Sequence, residues 1–146
     1  MALFNPSRDQ VRQFFFDAWS KFKAGQPLSD LEAIALEVMQ MHPEYHQVLD
    51  TPDRYLEQAY FPEMGETNPF LHMSLHLSIL EQLSIDQPPG IKPAYQTLLQ
   101  KLDDAHQAQH VLIECLAETI WQAQRSQRAM DADAYIALIR QKSTTV

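Results

Sequence analysis

The chain contains a single cysteine, Cys115, among its 146 residues. One cysteine cannot close a disulfide within the chain, and a Cys-x-x-Cys motif is absent. The sequence also lacks any stretch near the roughly 20 apolar residues that span a bilayer, and its first residues lack the apolar segment of a secretory signal. These absences predict a reduced, cytoplasmic protein in which Cys115 only packs within a helix.

Positive charge is also scarce. Lys and Arg number 11 against 19 Asp and Glu, which gives a net charge of −8. The sequence has no cluster of Lys and Arg that would neutralise phosphates along a groove. We therefore expect neither nucleic acid nor a membrane as a partner, which leaves a protein partner or a second copy of the chain.

Glycine is the third residue type in short supply, with three in the chain. The sequence has no Asn-Gly or Asp-Gly turn and no sustained strand-like alternation, whereas apolar residues recur with helical spacing throughout. These features predict an all-α, single-domain bundle of about five to seven helices, several of them short. We expect an ordered core over about 7–140 and a polar tail at 141–146.

Helix boundaries follow from capping residues and prolines. Side chains that favour helix N-termini precede apolar segments at four places: Ser7, Ser29, Asn68 and the pair Asp103 and Asp104. Pro43 interrupts the helix that starts after Ser29, and short helices are predicted to follow it. The final helix is expected near residues 131–140, and Trp121 is expected to pack in the core.

The most informative feature is the spacing of the histidines. All six occur in pairs four residues apart, namely His42 and His46, His72 and His76, and His106 and His110. On an α-helix this spacing places two imidazoles on one face, an arrangement that metal sites use. Each pair also starts close to a predicted helix N-terminus, where the helix dipole favours the neutral imidazole that a metal requires.

Carboxylates accompany the pairs. Glu114 lies four residues after His110, Glu44 lies between His42 and His46, and Glu81 lies five residues after His76. Nitrogen-rich ligation with carboxylates suits iron, zinc, nickel or copper rather than magnesium or calcium. Because zinc takes four ligands, this set implies either two metal ions or histidines that support the ligands without binding the ion.

Our leading hypothesis is a helical bundle that binds one or two transition-metal ions. The proposed ligands are His72, His76, His106 and His110, with Glu114 as a ligand or acid/base, and His42, Glu44 and His46 complete or cover the site. If the site is catalytic, a metal-activated water or bound dioxygen is the expected reagent, with Glu114 or Glu81 transferring protons. His42 and His46 form the weakest pair, because Pro43 disfavours helical geometry at His42 and separates the rings.

The alternative hypothesis is a non-enzymatic interaction or structural module. In that case the histidines donate hydrogen bonds to buried backbone groups near helix ends. The acidic surface would then recognise a protein partner or a second copy of the chain. Both hypotheses require the same all-α fold.

Six segments carry a resemblance to a known family: FNPSR at 4–8, FFF at 14–16, HPEYH at 42–46, GETNPFLH at 65–72, QLSIDQPPGI at 82–91, and ECL with IWQAQR at 114–125. With these segments the chain resembles, over nearly its whole length, the bacterial family catalogued as domain of unknown function 1841. The resemblance implies a bacterial origin. It implies no particular reaction, because the family has no established activity.

Overall fold

The computed structural model describes residues 8–56, 58 and 68–145. Within these residues the secondary structure is entirely helical, which confirms the predicted all-α class. The helices are α1 (Arg8–Lys23), α2 (Asp30–Met41), α3 (His46–Leu49), α4 (Pro52–Tyr55), α5 (Pro69–Ile85), α6 (Ile91–Leu102), α7 (Ala105–Ser126) and α8 (Ala132–Thr145), with a 3-10 turn at Pro43–Tyr45. None of the described helices is long and apolar enough to cross a membrane.

Two compact units make up the chain, and their boundary lies within α5, between Leu77 and Ser78. The first unit contains α1 to α4 and the start of α5. The second contains the rest of α5 and α6 to α8. The single domain expected from length and composition stays a prediction.

In the first unit, α1 packs against α2 through residues at helical spacing. Its core side chains are Phe15, Ala18, Ala35, Val38, Met39, Leu49, Phe70 and Met73. The predicted capping box at the start of α2 is confirmed, since the Ser29 hydroxyl accepts from the Glu32 amide and the Glu32 carboxylate accepts from the Ser29 amide. Ser7, the predicted cap of α1, lies outside the described residues.

The start of α5 is also as predicted. The Asn68 side-chain oxygen accepts hydrogen bonds from the Phe70 and Leu71 amides at 3.0 and 3.2 Å. Pro69 occupies the first helical position, where a backbone N–H would have no hydrogen-bond partner within the helix. This N-terminus fixes the position of the His72 and His76 face that follows.

The second unit is built from α6, α7 and α8, each of which packs against the other two. Its buried side chains include Ile91, Leu98, Leu112, Leu116, Tyr135 and Ile139. Of the predicted cap pair Asp103 and Asp104, Asp104 caps α7, with its carboxylate accepting from the Gln107 amide at 3.1 Å. The buried Tyr135 hydroxyl donates to the Gln82 side chain at 2.7 Å, which satisfies its polar group.

Two sequence-based expectations in the second unit are wrong. Residues 141–145, expected to form a polar tail, continue α8, because Ser143 is buried and its backbone carbonyl accepts a hydrogen bond from Lys101. Trp121, expected in the core, is 50% exposed. The buried face of α7 runs instead through residues such as Leu112 and Leu116.

Candidate metal centre

His42 owes its position to the proline that follows it. Pro43 ends α2, and His42 takes the C-cap position with φ −124° and ψ 68°. Its ring Nδ1 lies 2.7 Å from the carbonyl oxygen of Val38, one of the last carbonyls of the helix. A carbonyl only accepts, so Nδ1 is the donor, and in the neutral ring the lone pair belongs to Nε2.

His72 and His76 lie one turn apart near the start of α5. Their ring centres are 6.1 Å apart, as expected for side chains at positions i and i+4 of a helix. His76 is fully buried, whereas His72 is half-buried. The predicted placement of this pair on one face is confirmed.

The ring of His42 meets both of these rings. Its centre lies 4.8 Å from that of His72 and 5.2 Å from that of His76. One potential ligand atom from each of the three side chains falls within 4.8 Å of the others. We call His42, His72 and His76 the three-histidine cluster.

The spacing within the three-histidine cluster is close to that of a metal site. The Nε2 atoms of His42 and His72 are 3.1 Å apart. Two nitrogen ligands of a tetrahedral zinc ion, each at about 2.0–2.1 Å from the metal, are separated by about 3.3 Å. The same 3.1 Å also fits an N–H···N hydrogen bond between two neutral imidazoles.

The electrostatic setting of His42 differs from the expectation. The prediction that every pair starts near a helix N-terminus is right for His72 in α5 and His106 in α7. It is wrong for His42, which lies at the C-terminal end of α2 because Pro43 stops that helix. The Val38 carbonyl, rather than the helix dipole, therefore orients the imidazole of His42.

His46, a predicted metal residue, has a different role. Its Nε2 donates to the carbonyl oxygen of Met39 at 2.8 Å, and its ring lies 4.7 Å from the Trp19 ring. The structure does not bring His46 into the three-histidine cluster. Glu44, the carboxylate between the two histidines, is exposed on the 3-10 turn.

The second unit contains the remaining predicted site residues. His106 and His110 share one face of α7, with ring centres 4.2 Å apart and both rings half-buried. Glu114, one turn further along α7, is exposed. Glu81 is half-buried on α5, and this burial raises the pKa of its carboxyl group above the ordinary value.

Sequence reasoning missed Tyr45. Its ring stacks on His42 with ring centres 5.3 Å apart and planes 11° apart, and its centre is 6.2 Å from that of His72. Burial, followed by the negative charge of Glu44, raises the pKa of the Tyr45 phenol. The contact could have been predicted from the position of Tyr45 three residues after His42, because residues three apart eclipse each other in a 3-10 turn.

Comparison with known proteins gives one match. A family described as a domain of unknown function (DUF1841) matches residues 7–141 of the chain. No curated protein and no solved structure matches. The match covers both units and agrees with the resemblance seen in the sequence.

Proposed function

We propose that this chain, which belongs to the family described as a domain of unknown function (DUF1841), binds a transition-metal ion through His42, His72 and His76. The observation that carries the proposal is the 3.1 Å separation of the His42 and His72 Nε2 atoms inside a group of three imidazoles. Neighbouring core histidines need no such convergence to satisfy their hydrogen bonds.

The donor atoms favour a particular class of metal. Imidazole nitrogen suits zinc, copper, nickel and iron, whereas magnesium and calcium require oxygen ligands. Among the described residues of the first unit, no carboxylate joins the three-histidine cluster. We therefore propose a single ion in a nitrogen-donor site rather than a carboxylate-bridged pair.

The contacts of His42 support a site that is oriented before the metal binds. Its Nδ1 donates to the Val38 carbonyl, which fixes both the tautomer and the direction of Nε2. Metal-binding histidines in proteins are commonly held by such a bond from the second ring nitrogen. The backbone at the end of α2 therefore serves as the support for one ligand.

Three imidazoles leave a tetrahedral ion one ligand short. His106 and His110 are the remaining histidines that the sequence offers as ligands, and the double variant of His106→Ala and His110→Ala tests whether either of them supplies the fourth. If that variant binds zinc as tightly as the wild type, neither of these histidines is a ligand, and an ion held by the three-histidine cluster would have a position open for a water that it could activate. Glu114 and Glu81 are the carboxylates proposed for proton transfer in such a reaction.

The rival function is an interaction module with structural histidines. His46 favours it, because its hydrogen bond to Met39 is the role that this hypothesis assigns to all six histidines. An N–H···N bond between His42 and His72 would extend that role to the cluster. The two functions differ in whether the cluster binds a metal with useful affinity.

A comparison of His42→Ala with His46→Ala distinguishes the metal site from the interaction module. Both variants remove an imidazole beside α2, but only His42 belongs to the three-histidine cluster. In competition with a chromophoric chelator, we expect His42→Ala to weaken zinc binding at least about a hundredfold, because a ligand is lost. We expect His46→Ala to stay within about threefold of the wild type.

Two results would count against the metal site. One is equal zinc affinity of His42→Ala and the wild type, with both proteins folded by circular dichroism. The other is an equal loss in both variants, which would indicate a general effect of disturbing the end of α2. All proteins are measured without a histidine tag.

A further inference from the structure

The Tyr45 ring lies against two members of the three-histidine cluster, His42 and His72. The 3-10 turn that begins at Pro43 brings this ring over His42, and the Tyr45 amide donates to the His42 carbonyl at 2.9 Å. Pro43 and Glu44, which precede Tyr45 in the turn, are exposed, whereas Tyr45 is half-buried.

The Tyr45 and His42 rings form a near-parallel stack. Two neutral aromatic rings favour an edge-to-face or offset arrangement, because both faces carry partial negative charge. The Tyr45 and His42 planes are only 11° apart, whereas His42 meets His72 and His76 nearly at right angles. With ring centres 5.3 Å apart this is an offset stack, which neutral rings also favour, and its attraction increases when one of the two rings carries positive charge.

A bound cation supplies that charge. An imidazole that coordinates a divalent metal gives up electron density and becomes partly positive, so the electron-rich face of a phenol attracts it more strongly. The stack then contributes more in the loaded protein than in the metal-free protein. By linkage, a contact that is stronger in the loaded state raises the affinity for the metal.

We propose that Tyr45 is a positioning residue that raises metal affinity by stacking on His42. This inference rests on the proposed function. The aromatic ring is the proposed source of this effect, since the Tyr45 side chain meets His42 and His72 through its ring.

The test compares variants that keep or lose the ring. Tyr45→Phe keeps it, Tyr45→Leu removes it, and Tyr45→Met is a second ring-free variant of similar length in case the first does not fold. Tyr55→Leu is the matched control, because Tyr55 is also half-buried in the first unit and is in ring contact with Arg54. Zinc affinity and the rate of zinc release to excess chelator are measured on the full chain.

We expect Tyr45→Leu and Tyr45→Met to bind zinc about tenfold more weakly and to release it faster, as the strength of a cation–aromatic contact implies. Tyr45→Phe and Tyr55→Leu should stay within about twofold of the wild type. A merely structural tyrosine would lower the melting temperature of the metal-free protein without changing zinc affinity.

Unchanged zinc affinity in both ring-free variants, alongside a wild type that binds zinc, would overturn the role of Tyr45 and leave the metal site intact. A wild type that binds no zinc would overturn the proposed function itself. A tenfold loss in Tyr45→Phe would also contradict the inference, because the hydroxyl rather than the ring would then be responsible.

Discussion

Replacing His72 and His76 together with alanine is expected to abolish the thermal stabilisation of the protein by zinc. An ion that binds only the folded state at a hundred times its dissociation constant stabilises it by about 2.7 kcal/mol. For a chain of this size that corresponds to a rise in melting temperature of about 10 °C. The double variant loses two of the three proposed ligands in the first unit, so its melting temperature should be the same with and without zinc.

The comparison is made within each variant, with and without zinc, because His76 is fully buried and its loss also destabilises the metal-free protein. His72→Gln, which changes a half-buried side chain, is the milder second variant. His46→Ala is the control and should keep the full rise. A rise in the double variant equal to that of the wild type would show that zinc binds elsewhere.

Replacing Arg12 with methionine is expected to lower the free energy of unfolding by about 3–5 kcal/mol. Arg12 is 1% exposed, and its Nη1 donates to the carbonyl oxygens of Tyr55, Leu56 and Gln58 at 3.0, 3.1 and 2.7 Å. Hydrogen bonds from a charged donor are each worth more than neutral ones, and their loss leaves the carbonyls without this donor.

Urea denaturation measures this loss. Arg12→Lys should recover only part of it, because an ammonium group lacks the planar fork of a guanidinium. Arg54→Met is the control, since Arg54 is exposed and should change the free energy of unfolding by less than about 0.5 kcal/mol. A loss below about 1 kcal/mol for Arg12→Met would show that these hydrogen bonds contribute little net stability.

Arg12 is also relevant to the cluster. Its guanidinium lies 4.6 Å from the centre of the Phe70 ring, at the second position of α5 and two residues before His72. The buried cation therefore connects α1 to the turn of α5 that begins the histidine face. Loss of Arg12 is expected to weaken zinc binding indirectly, by loosening this turn.

Residues close together in the sequence were sufficient to predict much of the secondary structure. Capping at Ser29 and Asn68 is determined by side chains within three residues of the amides they bind, so the sequence alone predicts it, and for α7 the sequence narrows the cap to Asp103 or Asp104. The separation of His42 from His46 was likewise predictable, because proline restricts the residue that precedes it. The pairing of His72 with His76 follows from helical geometry.

Other features depend on packing between segments distant in sequence. His42 meets His72 across 30 residues, and the histidine spacing does not specify which pairs converge. The stack of Tyr45 on His42 requires the 3-10 turn, whose presence depends on how α2 ends. Trp121 has the hydrophobicity of a core residue, but its exposure depends on which face of α7 the neighbouring helices cover.

The most direct test of the metal site is the metal content of the full chain, purified without a histidine tag. The protein is reconstituted with zinc, dialysed against metal-free buffer and submitted to elemental analysis. The three-histidine cluster predicts about one equivalent of bound metal per chain, lost in the His72 and His76 double variant. Less than about a tenth of an equivalent in the wild type after reconstitution would contradict the metal site and favour structural histidines.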